Sequence, residues 1–589
     1  MTAANERHGG SIIADVLARH GVKHLFTLCG GHISPILTGC ESRGIKVVDV
    51  RDEGHAVFAA DAAARMTGTV GVAAVTAGPG VTNTVTAVKN AQMAQTPLIL
   101  FGGATATLLK GRGSLQDIDQ LSIMKPLTKW ATSVSTVPSL GSIVERAIMI
   151  ATTGVPGPVF IEVPVDLLYP EDQIRAMYAK EVGLGKAKGL SARALELYVR
   201  GHLYRQFNAP QLPDLAVSLP EVRLPTLRSA SDGLAAAARA IRSAERPLIV
   251  VGAQTMVGVR DPDRLARALR ELGAPVYLAG SARGLLGRHD ALQFRHARTP
   301  ALKEADCVVV CGFPFDFRLG YGRTIKKGAT VITANLSAAE MKKNRRPEIA
   351  VEMHPADFLV ALAAQASQGN AASKWGGWFE TLRGREGARD AEIAKKSAPA
   401  GELVDPIHFF LRVEEAMADD AILVVDGGDF VATASYIIRP RAPLSWLDPG
   451  VFGTLGVGGG FSVGAAASRP GKEIWLVWGD GSSGYSLSEF DTFVRHGFAP
   501  IALIGNDASW AQIAREQVDM LGTALGTELR RTDYHKVAEG YGGVGLVLTD
   551  PTKVDATLAE AKSISRSGRP VCINVHLRAT DFRKGSISI

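Results

Sequence analysis

Short runs in which nearly every side chain is apolar recur along the chain. Each is followed by a glycine-containing turn and then by a helix-length stretch with one apolar face. Val70–Val75, Leu98–Phe101, Val159–Val163, Leu248–Val251, Cys307–Val310, Ile474–Trp478 and Ile501–Ile504 are such runs. A strand that is apolar on both faces belongs in a parallel sheet covered by helices on both sides. The pattern predicts an α/β chain of three doubly wound parallel-sheet domains, at 1–175, 229–370 and 403–577. Residues 176–228 break it with Tyr198, Tyr204 and the prolines 210, 213, 220 and 225, and read as an inserted helix plus an extended linker. Residues 371–402, with Arg383, Arg385, Glu386, Arg389, Asp390 and Glu392, read as a charged helical linker. Residues 578–589 read as a tail.

A length of 589 residues agrees with several cores rather than one. Apolar residues make up 46% and charged residues 21%, an ordinary globular balance. The net charge of +7 is spread along the chain, which argues against a nucleic-acid footprint. The five cysteines form no CxxC pair, so reduced thiols in a cytoplasmic protein are expected. The polar N-terminus carries no secretory apolar core, and no apolar stretch is long enough to span a bilayer, so no membrane partner is expected.

The candidate chemistry sits where strands end. Gly479-Asp480-Gly481-Ser482 closes one apolar run and Gly505-Asn506 closes another. An aspartate and an asparagine so placed offer hard oxygen ligands to Mg²⁺, which keeps room for phosphate oxygens. The glycines let backbone approach a pyrophosphate. Far upstream, Glu53 follows a short strand in Val50-Arg51-Asp52-Glu53-Gly54-His55 and opens a helix. Alone, it reads as an acidic residue favoured at a helix N-terminus. Together with Thr76-Ala77-Gly78-Pro79-Gly80, however, the set resembles the enzymes of thiamine diphosphate (ThDP). Their motif is GDG followed some distance later by a pair of asparagines, the first of which is Gly505 here.

That resemblance implies roles. Glu53 would hydrogen-bond the cofactor's pyrimidine and favour its imino form, which then deprotonates the thiazolium carbon. Thr76, Gly427, Gly428, Asp429, Gly453, Thr454, Gly479, Gly481, Ser482, Ser509 and Trp510 would line the cofactor, with Leu455 bending it. Asp480, Asn506 and the Ala508 carbonyl would hold magnesium. The pyrimidine-binding and metal-binding domains of such enzymes come from different subunits, which implies a homodimer at least and a tetramer as the fuller form.

Gly30-Gly31-His32-Ile33-Ser34-Pro35, Lys89-Asn90-Ala91-Gln92, Gly505-Asn506-Asp507-Ala508 and the terminal Gly585-Ser586-Ile587 narrow the resemblance to ThDP-dependent 2-hydroxyacyl-CoA lyases of the acetolactate-synthase-like type. These cleave a 2-hydroxyacyl-CoA to formyl-CoA and an aldehyde or ketone, reversibly as an acyloin condensation. His32 is the candidate base and Glu516 the candidate proton carrier, with Gln512 behind it; Gln116 would be a polar residue of the active-site loop, and Glu489 reads as structural. Arg283, Arg583 and Lys584 are the candidate CoA contacts, with Arg288, Arg295 and Arg298 nearby in sequence and the tail as a mobile lid. ADP or another nucleotide in the central domain is a further expectation. An acetolactate synthase-like 2-keto acid enzyme, an oxalyl-CoA decarboxylase and a non-catalytic ThDP-fold subunit stay open as alternatives.

Overall fold

The computed structural model describes residues 8–182, 189–208, 227–366 and 374–584. Parts of the expected insert and of the tail therefore lie outside the described residues, including the end of the expected lid. The chain divides into two compact units, residues 1–64 with 69–221, and residues 222–589 with 65–68.

The first unit is built on one six-stranded sheet. Its strands are β1 (His24–Thr27), β2 (Lys46–Asp49), β3 (Gly71–Val75), β4 (Leu98–Ala104), β5 (Trp130–Ser133) and β6 (Pro158–Pro164). They run in the order β2-β1-β3-β4-β6-β5, all parallel. Every residue of β3, β4 and β6 is buried, as expected of strands covered on both faces. The helix Leu190–Asn208 docks on this unit by Val199 and Leu203, which pack with Ala106, Ile174 and Tyr178. Buried Asp166 ties the same corner together by accepting from Tyr178 Oη (2.7 Å) and Thr107 Oγ1 (2.6 Å).

The second unit carries two further six-stranded parallel sheets. The first comprises β7 (Pro247–Val251), β8 (Val276–Leu278), β9 (Gln293–Phe294), β10 (Cys307–Cys311), β11 (Thr330–Asn335) and β12 (Ile349–Glu352), in the order β12-β11-β10-β7-β8-β9. The second comprises β13 (Ile422–Asp426), β14 (Trp446–Leu447), β15 (Ile474–Gly479), β16 (Ile501–Asn506), β17 (Val544–Leu548) and β18 (Val571–His576), in the order β14-β13-β15-β16-β18-β17. The α/β class with three parallel sheets is thus what the apolar runs predicted. Trp475 and Trp478 of β15 are both fully buried, which anchors the strand that delivers Asp480. Burial of such side chains stabilises by about 1.5–3 kcal/mol each.

The charged stretch after the middle sheet is the helix Gly376–Lys396. Trp378 Nε1 donates to Pro247 O (3.0 Å), and Glu386 accepts from the backbone N–H groups of Arg295 (3.1 Å) and His296 (2.9 Å). The tail is held down as far as Phe582, which is buried in the core of the third sheet.

Candidate active site

The first unit carries its candidates after the C-terminal ends of β1, β2, β3 and β4. Glu53 opens the helix Glu53–Thr67 and is buried, its Oε2 accepting from Asn83 Nδ2 at 3.0 Å. A Cβ on Gly80 would stand 3.6 Å from Glu53 Oε1 and 2.8 Å from the Thr76 methyl, so the turn after β3 lies directly on the carboxylate. His32 Nδ1 meets Thr76 Oγ1 at 3.2 Å, and burial lowers the histidine's pKa, favouring the neutral ring. Gly78 has φ +62° and ψ −111°, a conformation reserved for glycine. A Cβ there would strike Gln116, whose own backbone is left-handed at φ +63°. Glu53, His32, Thr76 and Gln116 therefore belong to one neighbourhood.

Beneath them lies a network. Buried Gln120 accepts from Gly78 N (2.8 Å) and donates to Gly103 O (3.1 Å) and to Glu162 Oε2 (3.0 Å). Glu162, on β6, also accepts from Ser133 Oγ at 2.8 Å and pairs with Lys110. The strained Gly78–Gln116 contact is thus clamped from below by a fully bonded amide.

In the second unit, Gly479 and Gly505 are register partners on β15 and β16, so Asp480 and Asn506 emerge side by side. Asp480 Oδ1 accepts from Gly481 N (2.8 Å). Asp480 Oδ2 and Asn506 Oδ1 are both buried and have no protein hydrogen-bond partner. Two orphaned oxygens at neighbouring strand ends fit a hard cation, since a buried acceptor without a partner is otherwise costly. Burial raises the Asp480 pKa to about 6, opposed by backbone N–H groups, and burial with the Asp480 charge raises Asp507 to about 7. Ala508 has φ +60°, and its carbonyl accepts from Leu529 N (2.8 Å).

The glycine loops beside Asp480 are shaped by contact. A Cβ on Gly427 would strike Ser482 Oγ (2.8 Å) and Gly479 N (2.9 Å). The Ser482 hydroxyl is spent on Asp426 O (2.6 Å) and Gly479 O (3.1 Å). Arg515 grips the Asp429 carboxylate. Trp510 covers Gly481, where a Cβ would stand 2.5 Å from the indole. Leu455 lies between Gly453 (φ +66°) and Gly456 (φ +93°). The loop is pinned by buried Asp426, which accepts from Gly456 N (3.1 Å), Gly458 N (2.8 Å) and Trp478 Nε1 (3.3 Å). The Gly505 departure has a packing cause: a Cβ there would stand 2.4 Å from the Phe430 ring.

The chain matches the thiamine pyrophosphate enzyme N-terminal TPP binding domain over residues 7–123, the central domain over 234–362 and the C-terminal TPP binding domain over 426–575. It is 46% identical to the 2-hydroxyacyl-CoA lyase 2 of Danio rerio, covering 99% of this chain and 94% of that one. It is also 46% identical to the protein of the same name from Homo sapiens, covering 100% and 92%. Identity to the acetolactate synthase large subunit of Mycobacterium tuberculosis is 32%, over 97% and 96%. The chain belongs to the family of thiamine diphosphate-dependent 2-hydroxyacyl-CoA lyases. In this lyase-family chain the N-terminal match contains Glu53, Thr76 and Gln116, and the C-terminal match contains Asp480 and Asn506. Among the described residues no helix is long and apolar enough to cross a membrane.

A cleft of about 630 Å³ in the second unit is lined by Arg283, Arg295, His296, Arg298, Arg389 and Tyr436, among others. Arg295 is spent on Glu386 and Asp390. Arg283 stacks on Trp446 (4.5 Å) and donates to Ser435 O (3.4 Å), and Arg298 donates to Arg318 O (2.7 Å). Burial opposes both charges, while Asp448 favours that of Arg283 and Asp316 that of Arg298, in each case without a salt bridge among the described residues. Arg583 reaches the same place, its guanidinium 5.1 Å from the Tyr436 ring. Arg288 instead pairs with Asp419 (2.9 Å). Glu489 is fully buried and accepts from Thr492 Oγ1 (2.5 Å), in keeping with its structural reading.

Gln120, Glu162, Asp426 and Asn83 were not singled out from sequence. Glu162 and Asp426 each interrupt or end an otherwise apolar buried strand, and that signal marks a polar group with an obligatory partner.

Proposed function

We propose that the chain cleaves the C1–C2 bond of 2-hydroxyacyl-CoA thioesters, giving formyl-CoA and an aldehyde or ketone, and that it runs the reverse condensation. The observation that carries this is the presence in one chain of the Glu53, Asp480 and Asn506 set and of an arginine cleft in which neither Arg283 nor Arg298 forms a salt bridge among the described residues. A free 2-keto acid needs no such cleft, whereas CoA brings a diphosphate and a 3′-phosphate. The 46% identity to proteins named 2-hydroxyacyl-CoA lyase 2, against 32% to an acetolactate synthase, points the same way.

Asp480 and Asn506 would hold Mg²⁺ through their orphaned oxygens, with Ala508 O as a third ligand. Backbone at Gly427, Gly428, Gly479 and Gly481 would receive the diphosphate, and Leu455 would support the rings. Bound thiamine diphosphate supplies a nucleophilic carbon and an electron sink. Glu53 would hydrogen-bond the pyrimidine and favour its imino form, with Asn83 orienting the carboxylate. His32, neutral and fixed by Thr76, accepts the 2-hydroxyl proton as the C1–C2 bond breaks. Gln116 orients the thioester, and Glu516 returns a proton to the one-carbon fragment, so that atoms balance between substrate and the two products. Arg283, Arg583 and Lys584 would meet the CoA phosphates, and the same cleft would also accept ADP. The protein would act in the cytoplasm as a homo-oligomer, with the Glu53 region of one copy serving the Asp480 region of another.

Incubation of the purified protein with Mg²⁺, ThDP, formyl-CoA and an aldehyde tests the reading. A 2-hydroxyacyl-CoA product detected by mass spectrometry supports it. Release of CO₂ from oxalyl-CoA with no condensation product would favour the decarboxylase alternative instead.

A further inference from the structure

We infer that Asn574, in the middle of β18, is a positioning residue for the cation site: it fixes which end of the Asn506 amide faces the metal. The inference rests on the ThDP–Mg²⁺ reading above. A carboxamide has one accepting end and one donating end, of nearly equal shape. A metal ligand must present its oxygen, so something has to forbid the flipped amide. Asn506 is fully buried, and both N–H groups of its Nδ2 are engaged, with Thr532 O at 3.1 Å and with Asn574 Oδ1 at 3.1 Å. Turning the amide over would set its oxygen against two acceptors and bury its N–H groups where a cation belongs.

Asn574 is itself held in one orientation. It is fully buried, and its Nδ2 donates to Thr532 O (3.0 Å) and meets His535 Nδ1 (3.3 Å), which leaves its oxygen for Asn506. The order is therefore His535, Asn574, Asn506, cation site, with Thr532 O receiving both amides. Arg531 completes the frame by donating to the main-chain oxygens of Asn506 (2.6 Å) and Leu577 (2.9 Å). β16 and β18 are neighbours in register, Ile504 opposite Asn574, so the amide pair crosses between adjacent strands. An asparagine in the all-buried run Val571-Cys572-Ile573-Asn574-Val575 would be a needless cost without such a task.

The test compares the full-length wild type with Asn574→Leu, which removes the acceptor, and Asn574→Asp, which keeps one. Mn²⁺ binding is measured by electron paramagnetic resonance at saturating ThDP, with quenching of the total tryptophan fluorescence as a second readout. Asn574→Leu should weaken Mn²⁺ binding by about 10–100-fold, the usual effect of removing an outer-shell partner. Asn574→Asp should bind Mn²⁺ more tightly than Asn574→Leu, because it keeps the acceptor for Asn506 although it loses the donor to Thr532 O, and excess Mn²⁺ should restore kcat in Asn574→Leu. Equal Mn²⁺ affinity in all three proteins, or equal losses in both variants, overturns the inference. If Asn574→Leu does not fold, Asn574→Ser, with its shorter reach, takes its place with the same predicted direction. A wild type that binds neither Mn²⁺ nor ThDP would instead overturn the cofactor reading itself.

Discussion

Replacing Asp480 by asparagine should stabilise the cofactor-free protein at neutral and alkaline pH while destroying its cation site. Burial raises the Asp480 pKa from 3.8 to about 6. The native state therefore holds this proton more tightly than the unfolded chain does. The stability that goes with it is complete below about pH 4 and is lost as pH rises through about 6. A shift of ~2 units corresponds to about 3 kcal/mol, an upper figure for what the bare carboxylate costs the native state at pH 8. Asparagine does not titrate, still accepts from Gly481 N and no longer repels Asp507. If the third-sheet region melts as its own unit, the variant's Tm should exceed that of the wild type by up to about 6–12 °C at pH 8. The gap should close towards pH 4. Differential scanning fluorimetry of EDTA-treated protein across this range measures it. Adding Mg²⁺ and ThDP at pH 8 should then raise the wild-type Tm and leave the variant unmoved. A cofactor-free Asp480→Asn that melts below wild type at pH 8, or a gap that does not change with pH, would refute the argument that a buried, uncompensated charge sits at this strand end.

Glu53→Gln should retain ThDP binding and lose nearly all turnover, and full activity there would remove the assigned role of the carboxylate. Gly505→Asn, which restores the residue usual in the motif, should cost about 1–3 kcal/mol by overpacking against Phe430, and Phe430→Ala should relieve part of that cost in a double-mutant cycle by urea denaturation. Gln120→Ala should lower kcat by releasing the Gly78–Gln116 contact while leaving the affinity for Mn²⁺ unchanged, as judged by steady-state kinetics beside metal titration. Arg283→Ala with Arg298→Ala should raise the KM for acyl-CoA by about tenfold or more, the loss expected for one charge-assisted contact or more, with kcat nearly intact.

The parts of the site that sequence made legible are local. Asp480 and Asn506 stand at the ends of apolar runs, and Glu53 stands at a strand-to-helix turn, so each is visible within about ten residues of chain. The strands were legible for the same reason, because burial on both faces leaves an unbroken apolar word such as Ile501–Ile504. What stayed hidden is the support. Gln120 reaches Gly78 across 42 residues, Asp426 reaches Gly456 across 30, and Asn574 reaches Asn506 across 68. Their partners are set by strand order and register, which a single sequence does not print. The Gly505 departure was visible but its cause was not, because Phe430 meets it only once β16 is packed against the helix Asp429–Ile437. The cleft illustrates the same limit: Arg283 and Arg583 are 300 residues apart in number, yet Tyr436 lines the cleft with the first and lies under the guanidinium of the second.

The central claim is that this chain breaks the carbon–carbon bond of a 2-hydroxyacyl-CoA. The direct measurement is mass spectrometry of a reaction containing the purified protein, Mg²⁺, ThDP and a 2-hydroxyacyl-CoA labelled with ¹³C at C1. The label should appear in formyl-CoA, in step with release of the shortened aldehyde, and both signals should vanish in Glu53→Gln. An unchanged labelled thioester, with acetolactate formed when pyruvate is supplied instead, would contradict it.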